Sequence, residues 1–356
     1  MGIFLSHSDI NVFSSLGAWG VSGFLILSGF LMMLNYYNKN RIKTYTVKDN
    51  ILFAISKIKK LYLLHIIMMI VAILLEIHNI VNNGQIIKLG IKSILNIFCV
   101  QAFVSNSGYY FSLNAVAWYL SVCLFIYFMF PWILRFFEKQ MSKKKAAYGL
   151  IMCVILQIGF PYLASVINIS LLGDGFAKWI AYICPITRLI DFIIGSLLGY
   201  LYIIKKEDKN EGVKNSNYSL IGVFLIIGVC ILFTLTNSTD SDLYHPELWW
   251  HYTVIFTVPN SIFIWSIALE NNILNKILTS SPLVFVGNLS ADAFLIHQIV
   301  IRVIRKGLEV FVGVGNYLIF YIFLVVISLV LSLFVSIIWT KKDLIIHSVK
   351  KFTRGN

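Results

Sequence analysis

Apolar residues in this chain gather in long runs broken by short polar stretches, with neither the 3.6-residue stripe of a surface helix nor the alternation of a half-buried strand. A helix that crosses a bilayer needs about 20 mostly apolar residues. Nine runs meet that need: 13–37, 61–79, 113–135, 146–168, 177–203, 218–236, 249–269, 284–304 and 317–339. A tenth run, 86–103, is interrupted by Lys88 and Lys92 and reads as an amphipathic or re-entrant segment. The pattern predicts an all-α polytopic transmembrane helical bundle. It forms one transmembrane domain over 1–345, followed by a basic tail at 346–356, without internal repeats or an appended soluble domain.

Composition narrows the class further. Hydrophobic residues make up 58% of the 356, and charged residues only 13%. A soluble domain carries about 25% charged residues, so this chain cannot cover itself with polar surface. Soluble enzyme, nucleic-acid binder and disordered protein are excluded, and the lipid bilayer is the expected partner. The net charge of +13 fits the tendency of Lys and Arg to collect in cytoplasmic loops. Basic clusters fall in 38–60 (including Lys57, Lys59 and Lys60), in 135–145, in 205–217 and in the tail. The intervening loops carry Asp174, or Asp240, Asp242 and Glu247. This alternation predicts a multi-pass protein of the cell membrane with a cytoplasmic C-terminus and an N-terminus outside. Arg302, Arg305 and Lys306 break the pattern, since they fall on the outer side; charge alone offers only a polyanionic partner there. The odd number of crossings predicts one more span upstream, with 1–9 as its stub.

Cys99, Cys123, Cys153, Cys184 and Cys230 lie scattered in apolar runs without C-x-x-C spacing, and read as small buried hydrophobes. The seven histidines are far apart, so no metal site is expected. The phosphate-cradling loop of ATP-driven transporters is missing from the sequence.

Four stretches carry a recognisable pattern. GAWGVSGFLILSGFL (17–31), WYLSVCLFIYFMFP (118–131), ITRLIDFIIGSLLG (186–199) and GNLSADAFLIHQ (287–298) resemble, in order, signature segments of acyltransferase family 3. These are integral-membrane acyltransferases of surface polysaccharides and lipid-linked glycans. The resemblance covers almost the whole chain. It implies that an acyl group, most often acetyl, passes from acyl-CoA as co-substrate, with no bound cofactor, to a hydroxyl of a surface or exported glycan. Departures are visible. The family's first span has an Arg about eleven residues before a His; His7 fits the His, and the Arg has no counterpart. Cys123 stands where many members have an acid, and 60–65 (KLYLLH) lacks the proline of the matching segment in relatives.

Acyl transfer to an alcohol needs a group to take the hydroxyl proton, and imidazole suits that task near neutral pH. By its match to the family His, His7 is the candidate base; an interfacial histidine at a helix end is the plainer reading. His297, Gln298 and Asp292 sit within an apolar run, where polar groups normally face a cavity or a partner helix. They line a substrate tunnel or lock helices together. The five-residue step from Asp292 to His297 argues against a self-contained dyad. Arg188 and Asp191, three apart, can pair on one helix; Arg188 can instead grip a phosphate of coenzyme A. Lys57 and Lys60 set orientation or attract the same phosphates. Gly17, Gly20, Gly23 and Gly29, with Ser22 and Ser28, serve close helix packing or bring a ligand near backbone. Trp118 and Tyr127 pack, sit near an interface or stack on sugar, and Ser28 joins them as a candidate lining residue. A transporter or flippase of a glycan precursor or small metabolite is the rival class.

Overall fold

The computed structural model describes residues 3, 6, 15–42, 45–171, 175–207, 217–236, 254–311, 326–339 and 341. His7, the acidic connections 237–253, most of the connection 205–217 and the tail 346–356 lie outside them.

Every predicted apolar run contains a helix. The principal helices are α1 (Ser15–Tyr36), α2 (Val47–Asn82), α3 (Ile86–Ile97), α4 (Trp118–Gln140), α5 (Lys143–Leu171) and α6 (Pro185–Glu207). They continue with α7 (Tyr218–Thr236), α8 (Val254–Leu269), α9 (Ser281–Phe311) and α10 (Val326–Trp339). Seven helices are long and apolar enough to cross a membrane; α8 and α10 are shorter apolar helices within the described residues. The protein is a polytopic helical bundle.

Two boundaries differ from the reading of the sequence. The stretch 38–60 is not all loop: α2 begins at Val47, so Lys48, Lys57, Lys59 and Lys60 ride on a 36-residue helix. Likewise Arg135 and Lys139 end α4 and Lys143 begins α5, leaving a two-residue connection. Aromatic rings explain how cations are accommodated on helices here. Lys57 lies 4.8 Å from the Tyr36 ring centroid and 5.1 Å from that of Phe53, and Arg135 lies 5.0 Å from that of Tyr45. Cation–π attraction takes the place of loop solvation. Glu138 completes this basic end by accepting from the Asn38 backbone N–H and the Tyr45 hydroxyl.

The core is built on α1 against α6. A Cβ added to Gly29 would overlap the Phe192 carbonyl, one on Gly195 would overlap that of Ile26, and one on Gly199 would come within 2.8 Å of that of Phe30. Only glycine lets these two backbones meet, so small residues here serve packing. Around that weld sit Leu25, Ile26, Met33, Phe130, Phe192 and Ile194, all buried.

Arg302 and Lys306, the cations that broke the charge pattern, also find an internal account. Arg302 pairs with Glu76 on α2 and donates to the Leu113 carbonyl at 2.7 Å, and Lys306 donates to the Leu75 carbonyl at 2.9 Å. Both tie α9 to α2, so no polyanionic partner is needed to explain them.

Candidate functional site

The face of α1 turned away from α6 borders a cavity of about 500 Å³. Gly20, Gly23, Phe24 and Leu27 of α1, Asn260 and Phe263 of α8, Ser290 and His297 of α9, and Ser332 of α10 line it. This volume suits a small-ligand site, as does an apolar wall with a few convergent polar groups. Ile3 lies over one end: its side chain rests where a Cβ on Gly20 would stand. Ser6, the residue before His7, rests in the same way on Gly17. The same run of glycines therefore has two uses, backbone packing at Gly29 and room beside a cavity at Gly20 and Gly23.

His297 is buried in the cavity wall. Its Nδ1 lies 2.6 Å from the Phe294 carbonyl one turn earlier, which makes Nδ1 the protonated nitrogen. Asp292 faces elsewhere, 3.8 Å from Lys60 of α2, with side-chain exposures of 2% and 57%. Gln298 lies beside His297, half-buried, and is not among the residues lining the cavity. Two cavity residues escaped the sequence reading. Asn260 is buried, donates to the Trp19 carbonyl at 3.2 Å and stands 3.4 Å from where a Cβ on Gly23 would lie. Trp19 also lines the cavity, and its buried Nε1–H has no acceptor among the described residues. A polar residue following Pro259 inside an apolar helix was the available signal for Asn260. Trp19 gave none, since tryptophan in a span is ordinary.

A second polar centre lies within the bundle. Arg188 and Asp191 pair at 2.7 Å, with exposures of 1% and 0%. Asp191 also accepts from Gln157 of α5, which in turn accepts from the Thr257 hydroxyl of α8 at 2.6 Å. Arg188 donates to the Ala181 carbonyl at 3.1 Å, within the π-helical turn Trp179–Ile183. Charges at such depth persist only when paired and hydrogen-bonded, and this centre joins α5, α6 and α8. Gln157 and Thr257 were not foreseen; a lone glutamine in an apolar span was the readable hint.

The remaining candidates are spread out. Trp118 is buried, its ring 5.2 Å from Tyr182. Tyr127 and Ser28 approach at 3.5 Å between α4 and α1. Lys57, at the basic end, donates to the Tyr36 hydroxyl. Thus His297 lines the cavity, Arg188 belongs to the buried centre, Lys57 and Lys60 sit on α2, and Trp118, Tyr127 and Ser28 pack inside. The five cysteines are free, and among the described residues no cluster of three metal-ligating side chains occurs.

Neither the curated proteins nor the solved structures include a match to this chain. The sequence does match the family of acyltransferase domains called acyltransferase family 3 across residues 1–337, far more than half its length, and the protein is therefore a member of that family.

Proposed function

We propose that this membrane-embedded acyltransferase moves an acyl group, acetyl in the simplest case, from acyl-CoA to a hydroxyl of a surface or exported glycan. The observation that carries this reading is the cavity of about 500 Å³ lined by His297, Asn260 and Trp19 in a chain of this family. Family membership supplies the reaction class, and the cavity supplies a largely apolar wall with a few polar groups turned toward it.

In this reading the acceptor oxygen attacks the thioester carbonyl carbon, and His7 takes the hydroxyl proton. The carbonyl π electrons move onto oxygen, and the Trp19 indole N–H donates to that oxyanion. Collapse of the tetrahedral intermediate re-forms the carbonyl and breaks the C–S bond. The departing thiolate takes the proton back from His7, leaving an ester and free coenzyme A thiol. A base with an unperturbed pKa near 6.5 can both accept and return that proton. His297, with Nδ1–H engaged by the Phe294 carbonyl, orients the acyl group from the wall. Lys57 and Lys60 attract the coenzyme's phosphates at the basic, cytoplasmic end.

The test uses membranes holding the full-length protein, given labelled acetyl-CoA and a panel of glycans from the host envelope. Transfer of label to a glycan, lost in His7→Ala at unchanged expression and insertion, is expected. Label that never leaves coenzyme A, or full transfer by His7→Ala, contradicts the proposal.

A further inference from the structure

Helix α3 packs back along α2. Leu89 packs in the cluster of Met69 and Ala72, the Asn96 carbonyl accepts from His65 Nε2 at 3.0 Å, and the Ile97 carbonyl accepts from Tyr62 at 2.8 Å. Cys99 clusters with Ile58 and Leu120. As the chain advances from 89 to 99, its α2 neighbours step back from about 72 to 58. From there the segment runs through short turns to Trp118.

Buried backbone that is not helical must find hydrogen-bond partners outside a helix. Cys99 and Leu113, at φ 51° and 61°, mark the turns. Their neighbourhood is capped by side chains: Trp179 donates to the Ala102 carbonyl, Gln101 to that of Ala117, and Arg302 to that of Leu113. Side-chain donors are spent in the same way. Asn96 Nδ2 serves the Lys92 carbonyl and the Ser112 hydroxyl, and Asn114 Nδ2 serves the Leu295 carbonyl.

The acceptors are not spent. His65 Nδ1, Asn96 Oδ1, Gln101 Oε1 and Asn114 Oδ1 are buried, and each lacks a hydrogen-bond partner among the described residues. Since His65 Nε2–H donates to a carbonyl, Nδ1 carries a lone pair. Among the described residues the unit therefore presents four acceptors with no donor to match them. A buried acceptor left without a donor is costly, and four together call for a ligand that donates.

We propose that this unit is an internal hydration site, in which ordered water donates to His65, Asn96, Gln101 and Asn114. Water is the donor-rich ligand small enough to enter a packed, non-helical segment, and buried water typically makes about three such bonds. The site gives His65, an imidazole that the family resemblance does not assign, a proton-exchanging neighbour inside the bundle. The inference stands apart from the acyl-transfer reading.

X-ray hydroxyl-radical footprinting in ¹⁸O-water tests it on the full-length protein in lipid nanodiscs. Radicals form at bound water, so Leu113, between Ser112 and Asn114, is expected to label severalfold faster than the buried Leu197 and Leu198 of α6. Asn96→Leu, which removes an acceptor, is expected to slow labelling of Leu113; if that variant does not fold, the wild-type contrast decides alone. Labelling of Leu113 no faster than Leu197 and Leu198 overturns the proposal. So does a melting temperature that rises with sodium or potassium over N-methylglucamine, which replaces water by a cation.

Discussion

The two sides of α1 use the same residue types for opposite ends. On one, Gly29 meets α6 so closely that the helices share a backbone surface, backed by Phe192 and Ile194. On the other, Gly20 and Gly23 leave room, and Asn260, Trp19 and His297 gather round a cavity. Glycine in a span is thus ambiguous by itself. What decides is the partner: a second glycine-bearing helix closes the gap, whereas α8 presents the Asn260 side chain to Gly23 and borders the cavity.

Four substitutions break or sharpen that contrast. The largest effect is expected on the packed side. Asp191→Ala leaves the Arg188 guanidinium buried without its carboxylate, a change that costs about 3–5 kcal/mol; thermal unfolding in detergent reads it, and a loss under 1 kcal/mol contradicts the pairing described here. Next comes Gly195→Ala, whose methyl meets the Ile26 carbonyl. Its cost is expected near the top of the overpacking range, about 3 kcal/mol, and an unchanged melting temperature argues against the backbone weld.

On the open side the effects move from stability to rate. Trp19→Phe keeps the ring and removes the N–H; losing an oxyanion donor lowers kcat about 100-fold at unaltered melting temperature. A normal kcat in Trp19→Phe removes the indole from the mechanism. The smallest effect is expected for Gly23→Ala, whose Cβ makes an ordinary 3.4 Å contact with Asn260. Alanine in a helix gains about 0.5–1 kcal/mol over glycine, so stability holds or rises slightly while acyl transfer slows as the cavity narrows. Marked unfolding of Gly23→Ala erases the distinction between the two faces.

Much of the bundle was legible because membrane spans are written in composition. Nine apolar runs gave nine apolar helices, and the lysines at 88 and 92 marked the shorter helix that packs back along α2. The limits of α2 were not legible, since lysines that read as a loop are carried on a helix by Tyr36 and Phe53. Within the bundle, the three-residue step of Arg188 and Asp191 foretold their pairing. Gln157, Thr257, Asn260 and Trp19 come from three helices far apart in sequence. Their convergence depends on how the helices pack, and a single sequence records that only weakly. The pairing of Arg302 was not legible for the same reason: Glu76, its partner, lies 226 residues away.

The account's central claim is that acyl transfer takes place in the cavity between α1, α8, α9 and α10. A photoactivatable acyl-CoA analogue, cross-linked to the full-length protein in nanodiscs and mapped by peptide mass spectrometry, tests it most directly. Label confined to 16–27, 260–264 and 286–297, and competed away by acetyl-CoA, is the predicted result. Competable label on the lipid-facing surface of α7, with those three stretches untouched, contradicts it.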